Sequence, residues 1–209
     1  MPNGKIAVSA PSGAAFYRIE DILRARQDFI VRAVDRSLMR EREQQIRFAC
    51  DEGSRVSFMG RDVTLRFAEK GSSRMDGDEI VLVLKKIGDA ERRKEALKRF
   101  AEKTLRAYAL AKFEQVHPQF AHAAPMPELK LRIMRARWGS CIPKTAEITL
   151  NTRLAFYPTE CIDYVIMHEF AHFLHADHSK AFWQALTLHM PDWEQRKKTL
   201  NQKPMAQWI

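Results

Sequence analysis

The run His168-Glu169-Phe170-Ala171-His172 constrains this chain more than any other feature, because its chemistry works only on an α-helix. Residues four apart on a helix lie about 40° apart in azimuth and about 6 Å apart along the axis, so both imidazoles can close on one ion. A neutral imidazole is a good Zn²⁺ ligand. Glu169 follows the first histidine and can reach a water on the ion rather than the ion itself. Zn²⁺ lowers the pKa of such a water toward ~7, and the carboxylate takes its proton as the water attacks a carbonyl. The pattern alone arises by chance in about one to two of every hundred chains of this size, so its surroundings must carry the case. Here they do. A helix is predicted from Thr159, its N-cap, with Glu160 and Asp163 favourable near its positive end. A separate apolar stripe of Ile162, Val165, Ile166, Phe170 and Phe173 can anchor that helix to a core. Tyr164, four residues before His168, shares the ligand face and reads as a packing residue.

A third histidine completes the set, and two compete for the role. His175 has nearly the azimuth of His168, but an unbroken helix would carry it about 10 Å further along the axis, past the ion. His178 follows Ala176-Asp177, where the chain can leave the helix and fold back. The expected ligands are therefore His168, His172 and His178, with His175 lining the pocket or exposed. No Cys-x-x-Cys pair accompanies the histidines, which sets a zinc finger aside.

The rest of the chain supplies a scaffold. Its 209 residues, 45% hydrophobic and 29% charged, are enough for a real core and exclude a disordered chain. A net charge of +9 invites polyanions without naming one. No apolar run approaches the ~20 residues of a membrane span, and residues 1–12 lack a secretory core. Cys50, Cys141 and Cys161 are too scattered for a disulfide framework, so a cytoplasmic location is expected. A strand is predicted at 5–9 and a helix at 19–39. A hairpin follows at 55–59 and 61–67, turning on Gly60-Arg61, with Val56 and Phe58 on one side and Val63, Leu65 and Phe67 on the other. A Gly- and Ser-rich loop spans 71–77, and a further strand 79–85. Asp89 caps a long helix to about Val116, ending before Pro118, with a buried stripe of Leu97, Phe100, Thr104, Leu105, Tyr108 and Ala111. The basic residues crowding its other faces read as a solvated surface, since no aromatic is interleaved for base stacking. Strands at 128–134 and 147–151 precede the metal helix, and helical pieces at 179–190 and 192–201 follow it. The fold class is α+β: a mixed β-rich lobe over 1–88, then a catalytic half over 89–209 with a small antiparallel sheet.

The metal motif, followed by Asp177-His178-Ser179 and Phe182-Trp183, resembles the YgjP-like metallopeptidases, near the SprT and WLM-type zinc proteins. Upstream, Arg137-Trp138-Gly139-Ser140-Cys141, Ile148-Thr149-Leu150-Asn151 and Arg153-Leu154 fit the same family. So does the tail Met190-Pro191-Asp192-Trp193 with Arg196 and Leu200. The resemblance is strong over about 134–200. It implies a zincin-like half in which an active-site helix lies beside a small sheet whose edge receives an extended peptide. It also implies zinc on His168, His172 and His178, with Glu169 as base. Asp177 stands where the family pattern has Asn.

Read directly, 137–141 offers Cys141 either as a reactive thiol near the metal site or, the preferred reading, as a small buried hydrophobe in a turn whose Trp138 packs inward. Arg137, Asn151 and Arg153 are candidates for holding an oxyanion or a substrate carboxylate. The leading expectation is a zinc hydrolase acting on peptides or proteins, with an edge strand near 148–151 aligning the substrate. A nucleotide pyrophosphohydrolase is the alternative, although no Walker-type loop or acidic Mg²⁺ cluster exists. A DNA-associated, SprT-like role, binding nucleic acid through the basic surface, is the third.

Overall fold

The computed structural model describes residues 16–25, 50–120 and 125–202. The chain divides into two compact units, 1–48 and 49–209, so residue 88 lies within the second. In the first unit, α1 (Phe16–Ala25) exposes Phe16, Tyr17 and Ile22. The strand expected at 5–9 and the remainder of the helix expected to 39 lie outside the described residues.

The second unit opens with a four-stranded sheet made from β1 (Arg55–Phe58), β2 (Arg61–Ala68), β3 (Arg74–Asp76) and β4 (Glu79–Val83), in the order β1-β2-β4-β3. Val56 sits opposite Val63 across the β1–β2 hairpin, and Val56, Phe58, Val63 and Leu65 are buried on one face. The turn is Met59-Gly60 rather than Gly60-Arg61. Phe58 pairs with Arg61, and both turn residues have positive φ, 49° and 83°. That is the conformation that matches the twist of a two-residue hairpin, and it accounts for Gly in the second place. The loop expected at 71–77 contains β3, which pairs antiparallel with β4, while β2 and β4 run parallel.

Asp89 caps α2 (Ala90–Phe120), its Oδ1 accepting from the backbone N–H of Glu91 (3.0 Å) and Arg92 (3.2 Å). The helix runs past its expected stop and holds Pro118 in its last turn, where burial of Val116 and Phe120 offsets the missing backbone bond. The buried stripe is Leu97, Ala101, Leu105, Ala109, Phe113, Val116 and Phe120. Phe100, Thr104 and Tyr108 are half-buried and Ala111 is exposed, so the expected stripe was rotated off the true one. Much of the basic surface is engaged within the protein: Arg92 pairs with Asp89, Lys94 with Glu91, and Arg93 with Asp51 and the carbonyls of Cys50 and Ile87.

A second sheet combines β5 (Glu128–Arg132), β6 (Gly139–Ile142) and β7 (Glu147–Asn151), in the order β5-β7-β6. It is mixed, not antiparallel: β5 runs parallel to β7 and β6 antiparallel to it. The segment read as a turn at 137–141 therefore becomes a strand from Gly139. The expected edge strand, β7, is the central one, and β6 is terminal among the described residues. A 3₁₀ helix, Thr152–Phe156, joins β7 to the next helix. It also ties the two sheets together. Met59 N–H donates to the Ala155 carbonyl (2.8 Å), and the Phe58 ring meets Phe156 and Phe100, each at 5.7 Å.

Helix α3 (Thr159–Ala171) begins after Pro158, which occupies the N-cap position expected for Thr159. The Pro158 carbonyl accepts from Cys161 and Ile162. The helix is buried on nearly every side, as a helix packed between layers must be. Phe170 meets Phe113 of α2 edge-on at 4.9 Å. Helices α4 (Lys180–His189) and α5 (Trp193–Gln202) complete the unit. Arg196 anchors α5 onto α3, donating to the Glu160 carbonyl (3.4 Å) and lying 3.8 Å from Asp163.

Candidate metal centre and active site

Helix α3 delivers His168 and Glu169 from its last turn and ends at His172, its C-cap. The chain therefore leaves the helix earlier than the expected break at 176–177, and no continuous helix carries His175 past the site. The segment after it folds back and brings His178 onto the same face. One ligand atom each from His168, His172 and His178 lies within 4.8 Å of the others. His168 Nε2 and His178 Nε2 are 2.9 Å apart.

The ring orientations have identifiable causes. His172 Nδ1–H donates to the His175 carbonyl (3.1 Å), which leaves Nε2 with a lone pair to offer. His175 thus contributes through its backbone, while its side chain does not line the site. His168 Nδ1 is buried with no partner, so the useful chemistry of that ring is at Nε2. Burial, reinforced by the neighbouring His172 and His178 and by Lys197, pulls the His168 pKa down to about 3. Burial also holds His172 below the usual imidazole range, against the opposing bond to His175. Convergent imidazole nitrogens are what a borderline-soft divalent cation such as Zn²⁺ prefers, and these three could hold one.

Glu169 is 4% exposed. Burial pushes its carboxyl up to about 8, with the Arg137 charge pulling the other way. Its floor is Gly139 at the start of β6. A Cβ there would stand 2.8 Å from Glu169 Cγ and Cδ and would meet Oε1 more closely still. Only glycine leaves room for this carboxylate. The surrounding open cleft of about 380 Å³ includes Arg137, Trp138, Cys141, Tyr164, Val165 and Leu200 along its wall. Burial lifts the Cys141 thiol to about 12, with Glu169 adding to the effect, and Tyr164 likewise to about 12. Both are therefore neutral wall groups at ordinary pH.

Asn151 and Arg153 do not line the cleft. Asn151 is fully buried, and its amide donates to the carbonyls of Met134 (2.8 Å) and Arg137 (3.0 Å), while its Oδ1 accepts from Arg153 N–H (3.2 Å). Arg153 donates to the same Met134 carbonyl (3.1 Å). Together they hold the loop that leads Arg137 and Gly139 to the site. The role of Gly139 was missed because a missing side chain carries no chemical signal. The one hint was its place behind the bulky Trp138.

Convergent imidazoles thus stand beside a buried carboxylate where a helix packs against a small mixed sheet. The sequence matches the YgjP-like, metallopeptidase domain over residues 1–203, and the chain belongs to that family. None of the curated proteins matches it. Among solved structures, the crystal structure of the metallopeptidase zymogen abylysin from Pyrococcus abyssi is similar over 46% of this chain and 98% of its own, at 22% identity and a TM-score of 0.40. No described helix is long and apolar enough to cross a membrane.

Proposed function

We propose that this metallopeptidase is a zinc enzyme in which His168, His172 and His178 hold the ion and Glu169 is the general base. The observation that carries the reading is the meeting of three ligand atoms within 4.8 Å beside a carboxyl that burial has made proton-avid. A bound Zn²⁺ supplies Lewis acidity for a peptide carbonyl. Glu169 takes a proton from the attacking water and hands it to the leaving amine, a task suited to a carboxyl whose pKa lies near neutrality. Arg137 adds positive charge at the wall of the cleft, where an oxyanion or a substrate carboxylate would gain from it. β6, terminal among the described strands, offers its edge to an extended peptide, and its first residue lies directly under Glu169.

Purified protein assayed on a denatured protein and on quenched peptide libraries, with metal content measured alongside, tests this. Glu169→Gln should keep the wild-type zinc content and lose at least about 100-fold in hydrolysis. His178→Ala should lose zinc. Full peptidase activity in Glu169→Gln would defeat the mechanism.

A further inference from the structure

The third histidine is the exposed one of the three, and it sits on the loop between α3 and α4. A long loop side chain normally samples several rotamers, so something must hold this one. Its ring belongs to an aromatic cluster, with His168 and Trp183 themselves 6.0 Å apart and Phe182 edge-on to His178 at 4.8 Å. His168 and His178 stack at 4.9 Å and 27°, His178 and Trp183 at 5.6 Å and 28°, and Trp183 and Trp193 at 4.4 Å and 22°. The cluster is pinned by hydrogen bonds as well. Trp183 Nε1–H donates to the His178 carbonyl (3.0 Å), and Trp193 Nε1–H donates to Thr187 Oγ1 (2.9 Å), which donates to the Trp183 carbonyl (2.8 Å). The Lys197 ammonium lies over both indoles, 4.8 Å from the Trp183 centroid and 5.6 Å from that of Trp193.

We propose that Trp183, backed by Trp193 and Lys197 of α5, is the positioning residue that fixes the ring plane of His178 as the third metal donor. Helix α5 thereby becomes part of the metal site without supplying a ligand. This rests on the reading of His178 as a ligand. Trp183 holds the loop at the backbone and the imidazole at its face, so both degrees of freedom of the donor are restricted before any ion binds. Groups that orient a ligand in this way typically govern affinity by about 10- to 100-fold.

The test is zinc affinity of the full chain by competition with a chromogenic chelator, with the Co²⁺ absorption spectrum as a report on coordination. Thermal unfolding of the metal-free protein monitors the fold. Trp183→Ala should bind zinc at least about 10-fold more weakly than wild type and alter the Co²⁺ bands. Trp183→Phe, which keeps a stacking face but not the N–H, should fall between. Unchanged affinity in Trp183→Ala, while His178→Ala loses zinc, overturns the inference and leaves the zinc reading standing. Wild-type affinity in His178→Ala overturns both. Should Trp183→Ala fail to fold, Trp193→Leu keeps the Trp183 bond to the His178 carbonyl and removes the outer ring together with its bond to Thr187. There, weakening of about threefold or more supports the backing of Trp183 by Trp193 and unchanged affinity overturns it.

Discussion

Two of the three acidic side chains on helix α3 sit in opposite settings. Near its start, Asp163 is held by three groups: Tyr108 Oη–H donates to it at 2.8 Å, Lys112 Nζ lies at 3.0 Å and Arg196 at 3.8 Å. Six residues on, Glu169 has burial as its dominant influence, one opposing cation in Arg137, and the bare backbone of Gly139 beneath it. The helix field favours the first charge and disfavours the second. Asp163 joins α3 to α2 and α5 and is an architectural group. Glu169 is set where its charge is least comfortable, which suits a group that must accept a proton and release it again.

The contrast can be broken from either end. The largest effect is expected from Gly139→Ala. The added methyl forces the Glu169 carboxyl to move, and a displacement of about 1 Å can cost a reaction up to 100-fold. Hydrolysis should fall by at least about tenfold while metal content stays at the wild-type level. Equal activity in the two proteins would mean that the placement of Glu169 is not critical. Asp163→Ala should do the reverse. Denaturant unfolding should show a loss of about 2 kcal/mol, because two cations and a phenol lose their partner in a partly buried place. Specific activity of the folded, metal-loaded fraction should stay within about twofold of wild type.

The smallest effect should come from Asp89→Ala at the start of α2, far from the cleft. The Arg92 backbone N–H, more than any other group, holds the Asp89 carboxyl below its ordinary value. A depressed carboxylate pKa contributes stability that is present above the unfolded value and lost as pH falls through the folded one. The variant should therefore melt slightly earlier than wild type at pH 6, and the gap should close as pH drops below 3. A gap that persists there would point to lost packing rather than to the charged cap.

How much of this was legible beforehand follows from what each residue advertises. The pairing of His168 with His172 was readable because histidines four apart have a geometric meaning of their own, whereas the argument from rise per residue for His178 over His175 supposed a helix longer than the one that ends at His172. The cap at Asp89 was equally plain. The stripe of α2 was misplaced because Ala101 and Ala109, which form its middle, carry little hydropathy, whereas Phe100 and Tyr108 attract attention and sit half-buried at its margin. Strand β6 was missed because Gly-Ser-Cys-Ile has no alternation of large apolar groups, and it exists through pairing with β7. Asn151 and Arg153 looked like substrate groups because polar residues beside a site usually invite that reading. Their partners are backbone carbonyls 14 to 19 residues upstream, a relationship that only tertiary structure reveals.

Gly139 has a consequence beyond the space it leaves. It belongs at once to β6, terminal among the described strands of its sheet, and to the bed of the Glu169 carboxyl. A peptide laid along that strand, as proposed above, would bear on the same backbone that lies under Glu169. Under the proposed function, docking and proton transfer would be geared through a single α-carbon.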